Sequence, residues 1–116
     1  MYQFEKLRVY HDALDLVTSI YRLMTKLPSE EKFGLADQLK RSSTSIVLNI
    51  AEGTGGLGYI ELKSFLRNAL KSLYETVAGL KVIEKLFVLD IQLELQKCDK
   101  VGKELNALIN SLHTKD

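Results

Sequence analysis

The chain has 116 residues, of which 46% are hydrophobic and 27% charged, and its formal net charge is +1. These values are typical of one soluble globular domain. They exclude a strongly basic histone-like protein and a highly charged disordered tail. The single cysteine, Cys98, excludes an intramolecular disulfide framework and a cysteine-based structural zinc site. With one proline and seven glycines, few residues interrupt the chain, which favours long helices.

Two helices are predicted in the first half of the chain, at about residues 7–27 and 30–52. The apolar face of the first is formed by residues three or four positions apart, namely Tyr10, Ala13, Val17, Ile20, Met24 and Leu27. The apolar face of the second is formed by Leu35, Leu39, Ile46 and Ile50. Pro28 ends the first helix because its ring blocks continuation, and we expect Ser29 to cap the second.

Two further helices are predicted at about residues 60–88 and 91–113, with Asp90 as the N-cap of the last. The apolar face of the third is formed by Leu62, Leu66, Ala69, Leu73, Val77, Leu80 and Phe87. That of the fourth is formed by Ile91, Leu95, Cys98, Val101, Leu105, Leu108 and Leu112. No segment alternates like a strand. The pattern therefore predicts an all-α fold, an antiparallel up-down-up-down four-helix bundle in which residues 1–116 form a single domain.

Gly53, Gly55 and Gly58 match the spacing G-x-G-x-x-G. The dinucleotide-binding motif of that form follows a strand, whereas a helix precedes it here. We interpret the segment as a helix C-cap and a flexible loop, with anion binding at the next helix N-terminus left open. His11 and His113 lie near opposite ends of the chain, and we predict no cofactor and no metal.

The second helix carries a polar stripe beside its apolar face. Its residues are Gln38, Arg41, Ser45, Asn49 and Glu52. We interpret Gln38, Ser45, Asn49 and Glu52, together with Glu75, as a structural polar network or a subunit contact. A ligand or nucleic-acid surface is the alternative. Catalysis by Glu52 and Glu75 requires a shared pocket, which nothing in the sequence indicates, so we predict no enzyme.

A row of basic residues lies along one face of the third helix, within an arc of roughly 80° around its axis. It consists of Lys63, Arg67, Lys71, Lys81 and Lys85, with Tyr74 in the same arc. Such a row can follow a phosphate backbone, with the aromatic ring available for stacking. The alternative is a solvated helix face that Glu75 and Glu84 partly neutralise. Lys40 and Arg41 are secondary candidates for phosphate contacts.

Several strings of residues together resemble a known family. They are Phe4-Glu5-Lys6-Leu7-Arg8-Val9-Tyr10, Gln38-Leu39-Lys40-Arg41, Ser45-Ile46, Asn49-Ile50-Ala51-Glu52-Gly53 and Ser72-Leu73-Tyr74-Glu75. On these strings the chain resembles the bacterial four helix bundle proteins encoded in intervening sequences of 23S rRNA genes, also called S23 ribosomal proteins. The resemblance covers about residues 4–90. The sequence departs from the family pattern in the loop after Gly53, where family members often carry basic residues and this chain has none.

The resemblance implies an antiparallel bundle that assembles as a homopentamer and has no known enzymatic activity. A related branch, the accessory variability determinant of diversity-generating retroelements, binds nucleic acid and a reverse transcriptase. We therefore expect a cytoplasmic, non-enzymatic homopentamer that binds RNA or DNA, most simply rRNA. The alternative is a scaffold that docks an acidic protein partner without binding nucleic acid. We expect no membrane association and no small-molecule substrate.

Overall fold

The computed structural model describes residues 1–56 and 58–112. It contains four α-helices: α1 (Arg8–Met24), α2 (Leu35–Gly53), α3 (Tyr59–Phe87) and α4 (Gln92–Leu112). Short 3₁₀ helices, Gln3–Lys6 and Ser29–Glu31, precede α1 and α2. The predicted end of the fourth helix at His113 lies outside the described residues.

Each helix packs against two others, in the cyclic order α1, α2, α3, α4, with α2 and α3 forming the most extensive pair. The molecule measures 46 × 22 × 20 Å. Its long axis matches α3, because 29 residues extend for about 44 Å at the rise of an α-helix. The predicted antiparallel four-helix bundle is confirmed.

The core contains apolar side chains from all four helices. Its largest fully buried members include Leu16, Ile20, Leu39, Ile46, Ile50, Leu66, Leu80, Ile83, Ile91 and Leu105. In α1 the buried face is rotated from the predicted one, because Leu16 and Leu23 are buried while Tyr10 and Val17 are half-buried. Adjacent apolar residues, such as Leu16 and Val17, leave the centre of a helical face undetermined by spacing alone.

The connection between α1 and α2 differs from the prediction. Helix α1 ends at Met24, and α2 begins at Leu35, after Gly34. Ser29 is not the cap of α2, so that prediction is wrong. The physical reason is a separate 3₁₀ turn, in which the Glu31 N–H donates to the Pro28 carbonyl oxygen at 2.9 Å.

Two backbone conformations shape the other connections. Between α2 and α3, Gly56 and Gly58 have φ values of 102° and 109°, which glycine adopts without steric cost. Between α3 and α4, Val88 is left-handed, with φ 52°. One Asp90 carboxylate oxygen accepts a hydrogen bond from the Gln92 N–H at 3.0 Å, as expected of a residue that caps the start of α4.

Cys98 lies in the core, where it is 1% exposed. Burial, with the nearby charges of Asp99 and Glu94, raises the pKa of its thiol to about 12. No helix within the described residues has the length and apolar character needed to cross a membrane. The same part of the chain holds no cluster of three or more His, Cys, Asp or Glu side chains that could bind a metal.

Candidate nucleic-acid interface

A row of exposed cations runs along the outer face of α3. Arg67, Lys71, Lys81 and Lys85 are all exposed, and Tyr74, between them, is 61% exposed. The row extends for about 27 Å from Arg67 to Lys85 at the rise of an α-helix. None of the four cations forms an ion pair with a described residue. Glu75 and Glu84 therefore do not neutralise this row through direct contacts.

Lys63 does not share this exposure. It lies on the same arc of the helix, but it is buried, with 6% of its surface exposed. The neighbouring Leu62 packs where α2 ends, because a Cβ on Gly53 would lie 3.1 Å from its Cδ1 atom. Lysine stems are long enough to be covered in such a crowded place. The expected surface position of Lys63 is therefore wrong, and the exposed row begins at Arg67.

Lys40 and Arg41, the secondary candidates, each interact within the chain. The Lys40 ammonium lies 5.0 Å from the centroid of the Tyr21 ring, in a cation–π contact. The Arg41 guanidinium pairs with the Asp37 carboxylate one turn earlier at 2.8 Å. That pair is exposed and weak, because water screens it. Both cations are thus less available to a ligand than the row on α3.

Polar side chains join α2 to α3 beside the core. The hydroxyls of Ser42 and Thr76 lie 2.8 Å apart, as do those of Ser45 and Ser72. The Asn49 amide donates to the Ser45 carbonyl oxygen at 2.9 Å. Sequence reasoning placed Ser45 and Asn49 in a network but missed Ser42 and Thr76, which are its most buried members. The available signal was the run of hydroxyl residues in the middle of α2.

The remaining residues of the predicted network lie apart from these hydrogen bonds. Gln38 and Glu75 line a groove of about 190 Å³ between α2 and α3, with Ser42 below them. Glu52 is exposed and lies ten residues beyond Ser42 on the same helix, which is about 15 Å along its axis. The structure therefore does not bring Glu52 and Glu75 into a shared pocket.

The glycine loop borders an open cavity of about 450 Å³ at the start of α3. Gly53, Thr54, Gly56 and Gly58 form part of its wall. In the described residues no lysine or arginine lines it. Helix α2 precedes the loop, whereas a dinucleotide motif requires a strand at that position.

Comparison with known proteins gives a consistent result. The profile of a family described as 23S rRNA-intervening sequence protein matches residues 5–111. A solved structure from Bacteroides thetaiotaomicron, described as a protein of unknown function from the S23 ribosomal protein family, is similar with a TM-score of 0.78. The two sequences are 25% identical, and the match covers 88% of this chain and 95% of the other. No curated protein matches the sequence.

The family profile thus spans all four helices, from the 3₁₀ helix before α1 to the last turn of α4. The structural likeness extends over the same bundle and indicates no enzymatic family. The chain belongs to the 23S rRNA-intervening sequence protein family.

Proposed function

We propose that this protein is a non-enzymatic, oligomeric nucleic-acid-binding bundle, with structured RNA such as rRNA as its ligand. The observation that carries the proposal is the exposed row Arg67, Lys71, Lys81 and Lys85, none of which forms an ion pair with a described residue. Cations without protein partners are free to replace the counterions of a phosphate backbone.

Tyr74 supports nucleic acid over an acidic protein as the ligand of this row. Its ring is 61% exposed in the middle of the cations, where an unpaired base could stack on it. The family's association with 23S rRNA genes agrees with RNA as the ligand. Stacking on single-stranded positions and phosphate contacts together are the usual basis of RNA recognition by proteins.

Assembly is the second part of the proposal. We propose a homopentamer, in which the rows of neighbouring chains add together on one surface. One chain carries a net charge of only +1, so a single copy attracts RNA weakly over long distances. Several copies held together multiply the local cationic surface without changing the charge balance of the chain.

The test is charge reversal on α3. We expect Arg67→Glu with Lys71→Glu to lower the affinity for a structured rRNA fragment by more than about tenfold and the salt slope by about 2. Fluorescence anisotropy at several salt concentrations measures both quantities, and circular dichroism confirms unchanged helix content. The matched control is Lys32→Glu with Lys103→Glu, which removes the same charge elsewhere on the exposed surface.

Equal RNA affinity in the α3 double variant and the wild type would overturn this assignment. A further measurement separates RNA from a protein ligand: affinity capture from cell extract with and without nuclease. A partner retained after nuclease treatment favours the scaffold that docks an acidic protein. Partners lost with the nuclease support the RNA-binding function.

A further inference from the structure

The groove of about 190 Å³ between α2 and α3 is open to solvent and has an apolar lining. That lining is formed by Leu35, Leu39, Ala78 and Val82. Gly79 approaches α2 so closely that an added Cβ would lie 2.8 Å from the Leu39 Cδ2 atom. Val82 is 43% exposed beside the groove. The α2–α3 face therefore presents an apolar depression that no described residue fills.

The size and charge of this groove limit what it can hold. Its volume is below the range of about 300–1,000 Å³ for small-molecule sites, but above the roughly 150 Å³ of an apolar cavity that holds benzene. One large apolar side chain is therefore enough to fill it. The described residues that line it include the carboxylate of Glu75 and no lysine or arginine, which disfavours a phosphate group. An apolar side chain from a protein surface fits the groove better than RNA does.

The total exposed surface favours a second copy of this chain as that protein. The chain exposes 7091 Å², whereas a folded monomer of 13.1 kDa is expected to expose roughly 6,400 Å². The excess of about 700 Å² is close to the 800 Å² or so that each partner buries in a standard protein interface. The chain thus has the spare surface that self-association requires.

The inserted side chain must come from a different face, because a ring of five chains closes only through head-to-tail contacts. The face opposite the groove lies between α1 and α4, since the helices pack in cyclic order. Three large apolar side chains of the described α1 and α4 are exposed, namely Leu14, Tyr21 and Leu93. Tyr21 contacts Lys40 of α2, and Leu14, two turns earlier, shares its side of α1. Leu93, 55% exposed between two clefts of the α1–α4 face, is the candidate on the required side.

Charged residues near both surfaces can orient such a contact. Glu75 is exposed at the groove, while Arg22 and Lys26 are exposed in one of the clefts beside Leu93. None of the three forms an ion pair with a described residue. Two carboxylates line the same cleft, so its charges are balanced overall. A pair between copies would therefore lie at the rim, where it sets orientation more than affinity.

We propose that Leu93 of one copy inserts into the α2–α3 groove of the next copy, so that the chains join head-to-tail. This contact rests on the assembly proposed above and names the two surfaces that form it. It leaves the cationic row of α3 free, because none of the four cations lines the groove.

The test is a pair of variants that each damage one surface. We expect Val82→Glu, at the groove, and Leu93→Glu, on the opposite face, each to reduce the molar mass in light scattering from several chains to one. Both side chains are exposed, so circular dichroism is expected to show unchanged helix content. The matched control is Leu48→Glu, a leucine of similar exposure on α2 that does not line the groove, for which we expect the wild-type mass.

A mixture of the two variants tests the head-to-tail geometry. Each variant keeps the surface that the other lacks, so the equimolar mixture is expected to form a heterodimer with the mass of two chains. A wild-type mass in either variant, or a mixture that stays at the mass of one chain, would overturn this contact. A single-chain mass for the wild type would overturn the proposed assembly itself. RNA binding is tested apart from both, since Arg67→Glu with Lys71→Glu is expected to keep the wild-type mass.

Discussion

Two carboxyl groups meet between α1 and α4, at Asp12 and Glu104. One oxygen of each, Asp12 Oδ2 and Glu104 Oε1, is buried and has no hydrogen-bond donor within the described residues. Burial, a hydrogen bond with the Asp12 side chain and repulsion by its charge raise the pKa of Glu104 above its usual 4.5. Lys100, whose ammonium is 3.4 Å from the other Asp12 oxygen, and Arg8 oppose the shift. A proton on Glu104 would remove the conflict between the two acceptors.

This shift has a definite sign for stability. Because the folded chain holds the Glu104 proton more tightly than the unfolded chain does, this group's contribution falls as the pH rises from 4.5 through the folded pKa. Glu104→Gln cannot ionise and can donate to Asp12. We expect it to raise the melting temperature at neutral pH by a few degrees and to lose this advantage near pH 4.

Thermal unfolding followed by circular dichroism at several pH values measures this effect. The control is Glu75→Gln, an exposed carboxylate on α3, for which we expect no pH-dependent difference from the wild type. A Glu104→Gln variant that retains the full pH dependence of the wild type would contradict the raised pKa of Glu104.

At the scale of the helices, hydroxyl pairs distinguish the α2–α3 contact from the rest of the bundle. The Thr76 hydroxyl lies 2.9 Å from the Ser72 carbonyl oxygen and the Ser42 hydroxyl 3.3 Å from the Leu39 carbonyl oxygen. In the 2.8 Å contact between the two hydroxyls, either one can be the donor. Both residues are nearly fully buried, at 4% and 0% exposure. With apolar residues in their place, α2 could shift along α3 at little cost. The buried hydrogen bond forms in only one register of the two helices.

A double-mutant cycle tests this contact. We expect Ser42→Ala and Thr76→Val each to lower the free energy of unfolding by about 1 kcal/mol, the usual net value of such a bond. The double variant is expected to lose less than the sum, because each single change already removes the same bond. Urea denaturation measures all three values.

The matched control for this cycle is Thr18→Val, which removes an exposed hydroxyl bonded to the Leu14 carbonyl oxygen in α1. Its cost is expected to be small, since water replaces the lost group. Strict additivity of the Ser42 and Thr76 changes would argue against a coupled pair.

For the whole molecule, exposed apolar side chains on and beside α3 provide surface for the proposed assembly. Ile60 and Leu86 are 77% and 61% exposed on α3, and Val88, just after it, is 89% exposed. Burial of such surface between copies gains about 25 cal/mol per Å². This gain supports the proposed assembly.

The molar mass in solution tests the assembly. We expect light scattering to give the mass of five chains of 13.1 kDa each, with a further increase when RNA is added at low salt, where phosphate contacts are strongest. The mass of a single chain would contradict the pentamer. A pentamer whose mass does not change with RNA would shift the function towards a protein scaffold.

Much of the bundle could be predicted from local patterns. Spacings of three and four residues placed four helices, and the lack of alternation excluded strands. Boundaries were accurate where glycine or a capping residue marked them, as at Gly53 and Asp90. The start of α2 was wrong because Ser29 is a plausible cap whose neighbours instead form a separate 3₁₀ turn.

The candidate sites were predictable only in part. The periodicity of α3 identified the cationic row, because exposed positions of one helix follow from its own geometry. It also included Lys63, which is buried near the end of α2. The burial of Glu94 could not be predicted, since a carboxylate in the first turn of a helix is by pattern an ordinary exposed residue. Asp12 and Glu104 lie far apart in sequence, and no local signal pairs them.

The sequence by itself determined the helices, the order in which they pack and the family, because these depend on residue spacing and on ordered local motifs. Only the tertiary structure decided which charges are buried, which are paired and which are free. Those properties arise where two helices meet, as where Lys63 is covered near the end of α2 and where Asp12 of α1 meets Glu104 of α4. Burial and neighbouring charges change the free energy of ionising a side chain, and neither can be read from the residue's own identity.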